Sequence, residues 1–102
     1  MEMKTFVIRR RNAWKNAQEL EAAAVRSRKI GDSEMSNKAR WIRSYVLTEA
    51  DGTLGTACIY QAVSPEAIRE HAQRVGMPAD EITPVAATVI VRADPQEVAK
   101  AA

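Results

Sequence analysis

A chain of 102 residues with 46% apolar content has the size of one domain with a modest core, and needs no disulfide or metal staple to hold it. The formal charge is +2, and the bases are dispersed among acids except at Arg9-Arg10-Arg11 and Arg26-Ser27-Arg28-Lys29, which speaks against a dedicated nucleic-acid binder with its strongly basic face. Cys58 is the single cysteine, so no intrachain disulfide forms; no apolar run nears the ~20 residues of a membrane span or forms the middle of a secretion signal, and the expectation is a cytoplasmic protein with no membrane partner.

Residues 4–9, Lys-Thr-Phe-Val-Ile-Arg, are rich in β-branched and aromatic side chains and read as a first strand. Asn12 then suits the cap of a helix over residues 13–29, where Ala17, Leu20 and Ala24 give a shallow apolar stripe on good helix formers. Gly31-Asp32-Ser33 predicts the break of that helix and the start of a polar loop reaching Lys38. Residues 41–47 and 56–62 are strand-like runs on either side of Asp51-Gly52, a dipeptide suited to a tight hairpin turn.

Ser64-Pro65-Glu66 combines a hydroxyl cap, a proline where no amide hydrogen is needed and an acid at the positive end of the helix dipole. Ile68, Ala72 and Val75 mark the buried face of this second helix, and Gly76 with Pro78 ends it. Residues 85–91 are dense in β-branched side chains and predict a final strand. The order β-α-β-β-α-β predicts an α+β, ferredoxin-like fold: an antiparallel sheet with two helices on one face, occupying residues 1–95 and followed by a frayed tail at 96–102.

With Asp51-Gly52 as the two residues of the turn, Tyr45 lies opposite Cys58 and Arg43 opposite Tyr60. The period of two then gathers Trp41, Arg43, Tyr45, Cys58 and Tyr60 on the sheet face that carries no helices. Ile42, Ser44, Val46, Ala57 and Ile59 go to the helix side. A bare aromatic face of that size calls for a cover, and the simplest is a second copy of the sheet, giving a homodimer with a cavity between the sheets. In it Trp41 and Tyr45 serve as dimer packing or as ligand contacts, and Arg43 as a snorkelling charge or an anchor for an anionic ligand. Cys58 is a small buried hydrophobe or, less readily, a nucleophile.

His71, the one histidine, adjoins the apolar stripe of the second helix. It reads as a structural side chain or as a metal ligand, with Glu70, Glu66 and Cys58 as partners by residue type. The charges of Glu19, Glu21 and Arg9 to Arg11 read as solvated faces.

Residues 39–46 (Ala-Arg-Trp-Ile-Arg-Ser-Tyr-Val), Asp51-Gly52, residues 58–62 (Cys-Ile-Tyr-Gln-Ala), residues 64–72 (Ser-Pro-Glu-Ala-Ile-Arg-Glu-His-Ala), Gly76-Met77-Pro78 and Ile82-Thr83 together resemble a small bacterial domain-of-unknown-function family that includes a nickel-binding protein. The resemblance implies a ferredoxin-like fold, a dimeric α+β barrel assembled through the sheets, and binding of nickel or another divalent metal, with no established reaction. The expected function is a small homodimeric binding protein for a metal ion or small ligand, His71 and Glu70 being the metal candidates. The alternative is a dimeric α+β barrel enzyme of the cofactor-independent monooxygenase or isomerase type.

Overall fold

The structure, a computed structural model, describes residues 2–93; the tail expected at 96–102 lies outside them. The elements run β1 (Lys4–Trp14), α1 (Ala17–Glu34), β2 (Ala39–Thr48), β3 (Leu54–Ala62), α2 (Pro65–Val75) and β4 (Glu81–Pro84). The strands form one sheet in the order β2-β3-β1-β4, with every neighbouring pair antiparallel. This is the expected ferredoxin-like α+β fold, with both helices on one face of the sheet.

In β1, alternation sends Phe6, Ile8 and Arg10 under the helices and leaves Thr5, Val7 and Arg9 on the other side. Phe6, Ile8, Cys58, Tyr60 and Ala62 of the sheet pack against Ala67 and Ile68 of α2. Ser64 caps α2 by accepting the amide hydrogen of Ala67 at 3.2 Å, and Gly76 closes it at a φ of 85°. That left-handed conformation is the one in which glycine ends helices most readily.

The first helix departs from expectation at both ends. Its cap is Asn16, which accepts the Glu19 amide hydrogen at 3.0 Å while the Glu19 carboxylate accepts from the Lys15 amide at 2.9 Å. This reciprocal pair resembles a capping box. Asn12 instead adopts a φ of 50° at an irregularity of β1, and its side chain donates to Asp51 and Thr53 at the hairpin tip. Nor does Gly31-Asp32-Ser33 break the helix: all three are helical, and the helix ends where the Met35 amide donates to the Gly31 carbonyl. One glycine in a helix interior costs only about 1 kcal/mol against alanine, which neighbouring turns can offset.

The hairpin forms, with a different turn. Its loop is Ala50-Asp51-Gly52, closed by the Gly52 amide to the Glu49 carbonyl and by the Glu49 amide to the Thr53 carbonyl. Gly52 takes a φ of 87°. A three-residue loop ending in a left-handed glycine moves the pairing one residue from that of a two-residue turn. Tyr45 therefore pairs with Ala57, Ser44 with Cys58 and Arg43 with Ile59, and a bulge between Trp41 and Arg43 places Trp41 opposite Tyr60.

The final strand is shorter and earlier than expected. Pairing runs from Arg9 with Glu81 to Phe6 with Pro84, and one further bond joins the Val85 amide to the Thr5 carbonyl. Continued in that register, residues beyond 86 would pass the start of β1 at Lys4. High β propensity at 85–91 thus finds no partner strand among the described residues, and Val89, Ile90 and Val91 stand 85%, 76% and 78% exposed.

Candidate functional site

The helix-side face carries Trp41, Ser44 and Val46 of β2, Thr56, Cys58 and Tyr60 of β3, and Arg10 of β1. Over it α1 buries only Ala23 and Ser27, so the helix bridges the sheet without filling the space beneath. A cleft of about 460 Å³ remains, walled by Trp14, Leu20, Val46, Tyr60 and Met77, with Arg10 and Thr56 in its lining. Past Ser27, Trp41 and Tyr60, which belong to both walls, lies a more polar hollow of about 600 Å³ lined by Arg28, Asp32, Arg40 and His71.

A chain of hydrogen bonds crosses the floor. The Trp41 indole Nε1 donates to Ser44 Oγ at 2.8 Å, and Ser44 Oγ donates to Cys58 Sγ at 2.9 Å. Arg10 Nη1 donates to the same sulfur at 3.2 Å, while Arg10 Nε donates to the Pro78 carbonyl. The Tyr60 hydroxyl and Ser27 Oγ are 3.2 Å apart, and the Tyr60 ring lies parallel to Trp41 at 6.4 Å. Burial raises the Tyr60 phenol above its ordinary pKa, a shift that the Ser27 hydrogen bond and the Arg10 charge only partly offset. Among the described residues three buried side-chain polar atoms have no partner: Arg10 Nη2, Thr56 Oγ1 and His71 Nδ1.

The register divides the expected ligand-binding set. Trp41, Cys58 and Tyr60 line the helix-side cleft, while Tyr45 pairs with Ala57 on the face without helices, and Arg43, opposite Ile59 and next to the bulge, lines both the polar hollow beside His71 and the hollow of the bare face. The five residues do not share the bare face: the extra turn residue sets Cys58 and Tyr60 on the side opposite to Arg43 and Tyr45, and the bulge between Trp41 and Arg43 carries Trp41 over to join them. The three arginines expected as one solvated run also part company. Arg11 is exposed, Arg9 pairs with Glu49 at 3.0 Å, and Arg10 is 1% exposed. The period of two through Phe6, Ile8 and Arg10 carried that signal.

Glu70 and His71 part as well. The His71 Nε2 lies 3.0 Å from the Ser27 carbonyl, beneath α1, and the ring tilts against Tyr60 at 5.6 Å. Glu70 stands at the rim, where Arg74 reaches it at 2.6 Å and Lys38 at 3.8 Å. Among the described residues no group of three His, Cys, Asp or Glu side chains gathers, so the donors of one chain do not fit a nickel site.

A carbonyl only accepts, so His71 Nε2 carries the hydrogen and the neutral ring leaves Nδ1 bare. Burial holds the His71 pKa below its ordinary value, against the pull of the Ser27 bond and aided by repulsion from Arg10. The unfolded chain then binds a proton that the native state refuses, and stability falls as pH drops below the unfolded value of about 6.5. Urea unfolding is expected to show this loss between pH 7 and 5, by at most about 1.4 kcal/mol per pH unit, and His71→Asn is expected to remove the slope. An equal slope in the variant would assign the loss to other groups.

The family described as nickel responsive protein SCO4226-like matches residues 6–85. The crystal structure of SCO4226 from Streptomyces coelicolor A3(2) is 21% identical and superposes with a TM-score of 0.66 over 83% of this chain and 99% of that one; at this identity the likeness is one of fold. No curated protein sequence matches the chain.

Proposed function

This chain belongs to the SCO4226-like family of nickel responsive proteins, and we propose that it is a homodimeric binding protein whose two sheet faces have separate tasks. The face without helices is the assembly surface, and the cleft beneath α1 is the chamber for a small ligand. The observation that supports this most is the division of side chains by the hairpin register. Val7, Tyr45 and Ile59 stand on the bare face, close to residues 87–93, which follow β4 and with which they line a hollow of about 950 Å³. Stable interfaces bury about 800 Å² per partner around an apolar centre. Tyr45, Val89, Ile90 and Val91 form an exposed apolar group on this side, of the kind that monomers rarely leave in water.

The ligand in this reading is a small molecule in place of nickel. The bare Nδ1 of the one histidine belongs to no group of three His, Cys, Asp or Glu side chains among the described residues, and Glu70 is held by arginine and lysine. Sedimentation of the wild type at micromolar concentration is expected to give twice the 11.3 kDa chain mass. Tyr45→Lys combined with Ile90→Lys is expected to give a folded monomer, since buried unpaired charges at an interface centre cost several kcal/mol. A wild type that sediments as a monomer throughout that range contradicts the assembly.

A further inference from the structure

We propose that the cleft beneath α1 binds a small organic anion, its carboxylate held by Arg10 and Thr56 and its apolar body by Trp14, Leu20 and Val46. The inference rests on the reading of this cleft as the ligand chamber and names what the chamber takes.

Three consecutive arginines of β1 meet different fates. Arg9 has the Glu49 carboxylate at 3.0 Å and Arg11 has that of Glu81 at 2.7 Å. Arg10, between them and 1% exposed, has no carboxylate partner among the described residues. Its Nε and Nη1 are taken by a carbonyl and a sulfur, and its Nη2 by no group among the described residues. A guanidinium does not shed its proton on burial, so desolvation cannot be relieved by neutralisation as it is for lysine or histidine. Leaving the charge uncompensated costs several kcal/mol, and an anion is what removes that cost.

The second orphan stands beside the first. Thr56 is the cross-strand partner of Arg10, both residues line the cleft, and Thr56 Oγ1 is buried without a partner. A carboxylate has two oxygens and accepts from both an Nη2 hydrogen and an adjoining hydroxyl. A bridging water would satisfy the hydrogen bonds and leave the charge. The larger remaining side chains are mostly apolar, Trp14, Leu20, Val46 and Met77 among them, with the exposed Glu21 and the hydroxyls of Ser27 and Ser44 also in the lining, so the anion must bring apolar surface; an inorganic ion would leave that wall wet. The volume of about 460 Å³ lies within the ~300–1,000 Å³ of small-molecule sites. A metal cation is disfavoured at this end of the cleft by the guanidinium itself.

Trp14 and Trp41 are the only tryptophans of the sequence and both line the cleft, so intrinsic fluorescence reports its occupancy. The probes are hexanoate, octanoate and phenylacetate, each beside its neutral amide, with inorganic phosphate as a further arm. At least one acid is expected to give a saturable change and to bind tenfold or more tighter than its amide. Arg10→Met is expected to erase that preference while still taking the amide, and Thr56→Val to weaken the acid several-fold. Should Arg10→Met fail to fold, the wild-type ratio of acid to amide and the Thr56→Val variant decide. Equal binding of acid and amide overturns the anion assignment and leaves the chamber standing. Phosphate binding as tightly as every acid overturns the apolar body, and no response to any probe overturns both the anion and the chamber.

Discussion

Valine in place of Gly55 is expected to destabilise the domain by about 3 kcal/mol or more, and alanine by about 1–3 kcal/mol, read as shifts of the urea midpoint at constant slope. Gly55 lies on the bare face opposite Leu47, where the Glu49 carboxylate folds back over β3. A Cβ there would collide with Glu49 Oε2, stand 2.5 Å from the Arg10 carbonyl and 2.8 Å from Arg9 Nη1. The carbonyl is backbone and cannot yield. Displacing Glu49 would also free Arg9, whose Nη2 bonds both carboxylate oxygens, and the Asn12 amide that donates to the same group. One methyl group thus reaches the ion pair, the β1 irregularity and the hairpin together. A Gly55→Val protein as stable as the wild type would mean that this packing is absent.

Ile68→Ala is expected to cost about 2–5 kcal/mol, whereas Leu20→Ala is expected to cost under about 1 kcal/mol. Both side chains are aliphatic and both lie on helices over the same sheet. Ile68 is fully buried among Phe6, Ile8 and Tyr60, so its removal leaves a cavity that cannot collapse. Leu20 lines the open cleft and is only half-buried, so its methyl groups already meet space. The pair of variants therefore measures whether α2 anchors the core while α1 roofs a chamber. Equal losses in the two would mean that α1 is packed as tightly as α2, with no room for a ligand.

The features legible in the sequence are those set by local chemistry. Ser64-Pro65 and Gly76 fixed the ends of α2 because a hydroxyl, a missing amide hydrogen and a left-handed glycine act within one turn. Asparagine at 12 and at 16 suits a cap equally by type, and the discriminating signal was the acid three residues on, present as Glu19 after Asn16 and absent after Asn12. The strand expected at 85–91 failed for a different reason: β propensity is met only where a partner edge exists, and β1 begins too late to supply one.

The site was less legible than the fold because it depends on a single residue of register. Whether Asp51-Gly52 turns alone or with Ala50 decides whether Cys58 and Tyr60 share a face with Arg43 and Tyr45, and no local preference separates the two loops strongly. Arg10 was hidden by its neighbours, since a run of three arginines looks solvated until the alternation of β1 is followed through it.

The division of tasks between the two faces is tested most directly by hydrogen exchange of the wild type at high and low protein concentration. Amides of residues 43–47 and 85–93 are expected to gain protection as concentration rises, while those of α1 stay unchanged, because only the bare face meets a second copy. Concentration-dependent protection in α1, with none at 43–47 or 85–93, would place the assembly surface over the cleft and contradict the account.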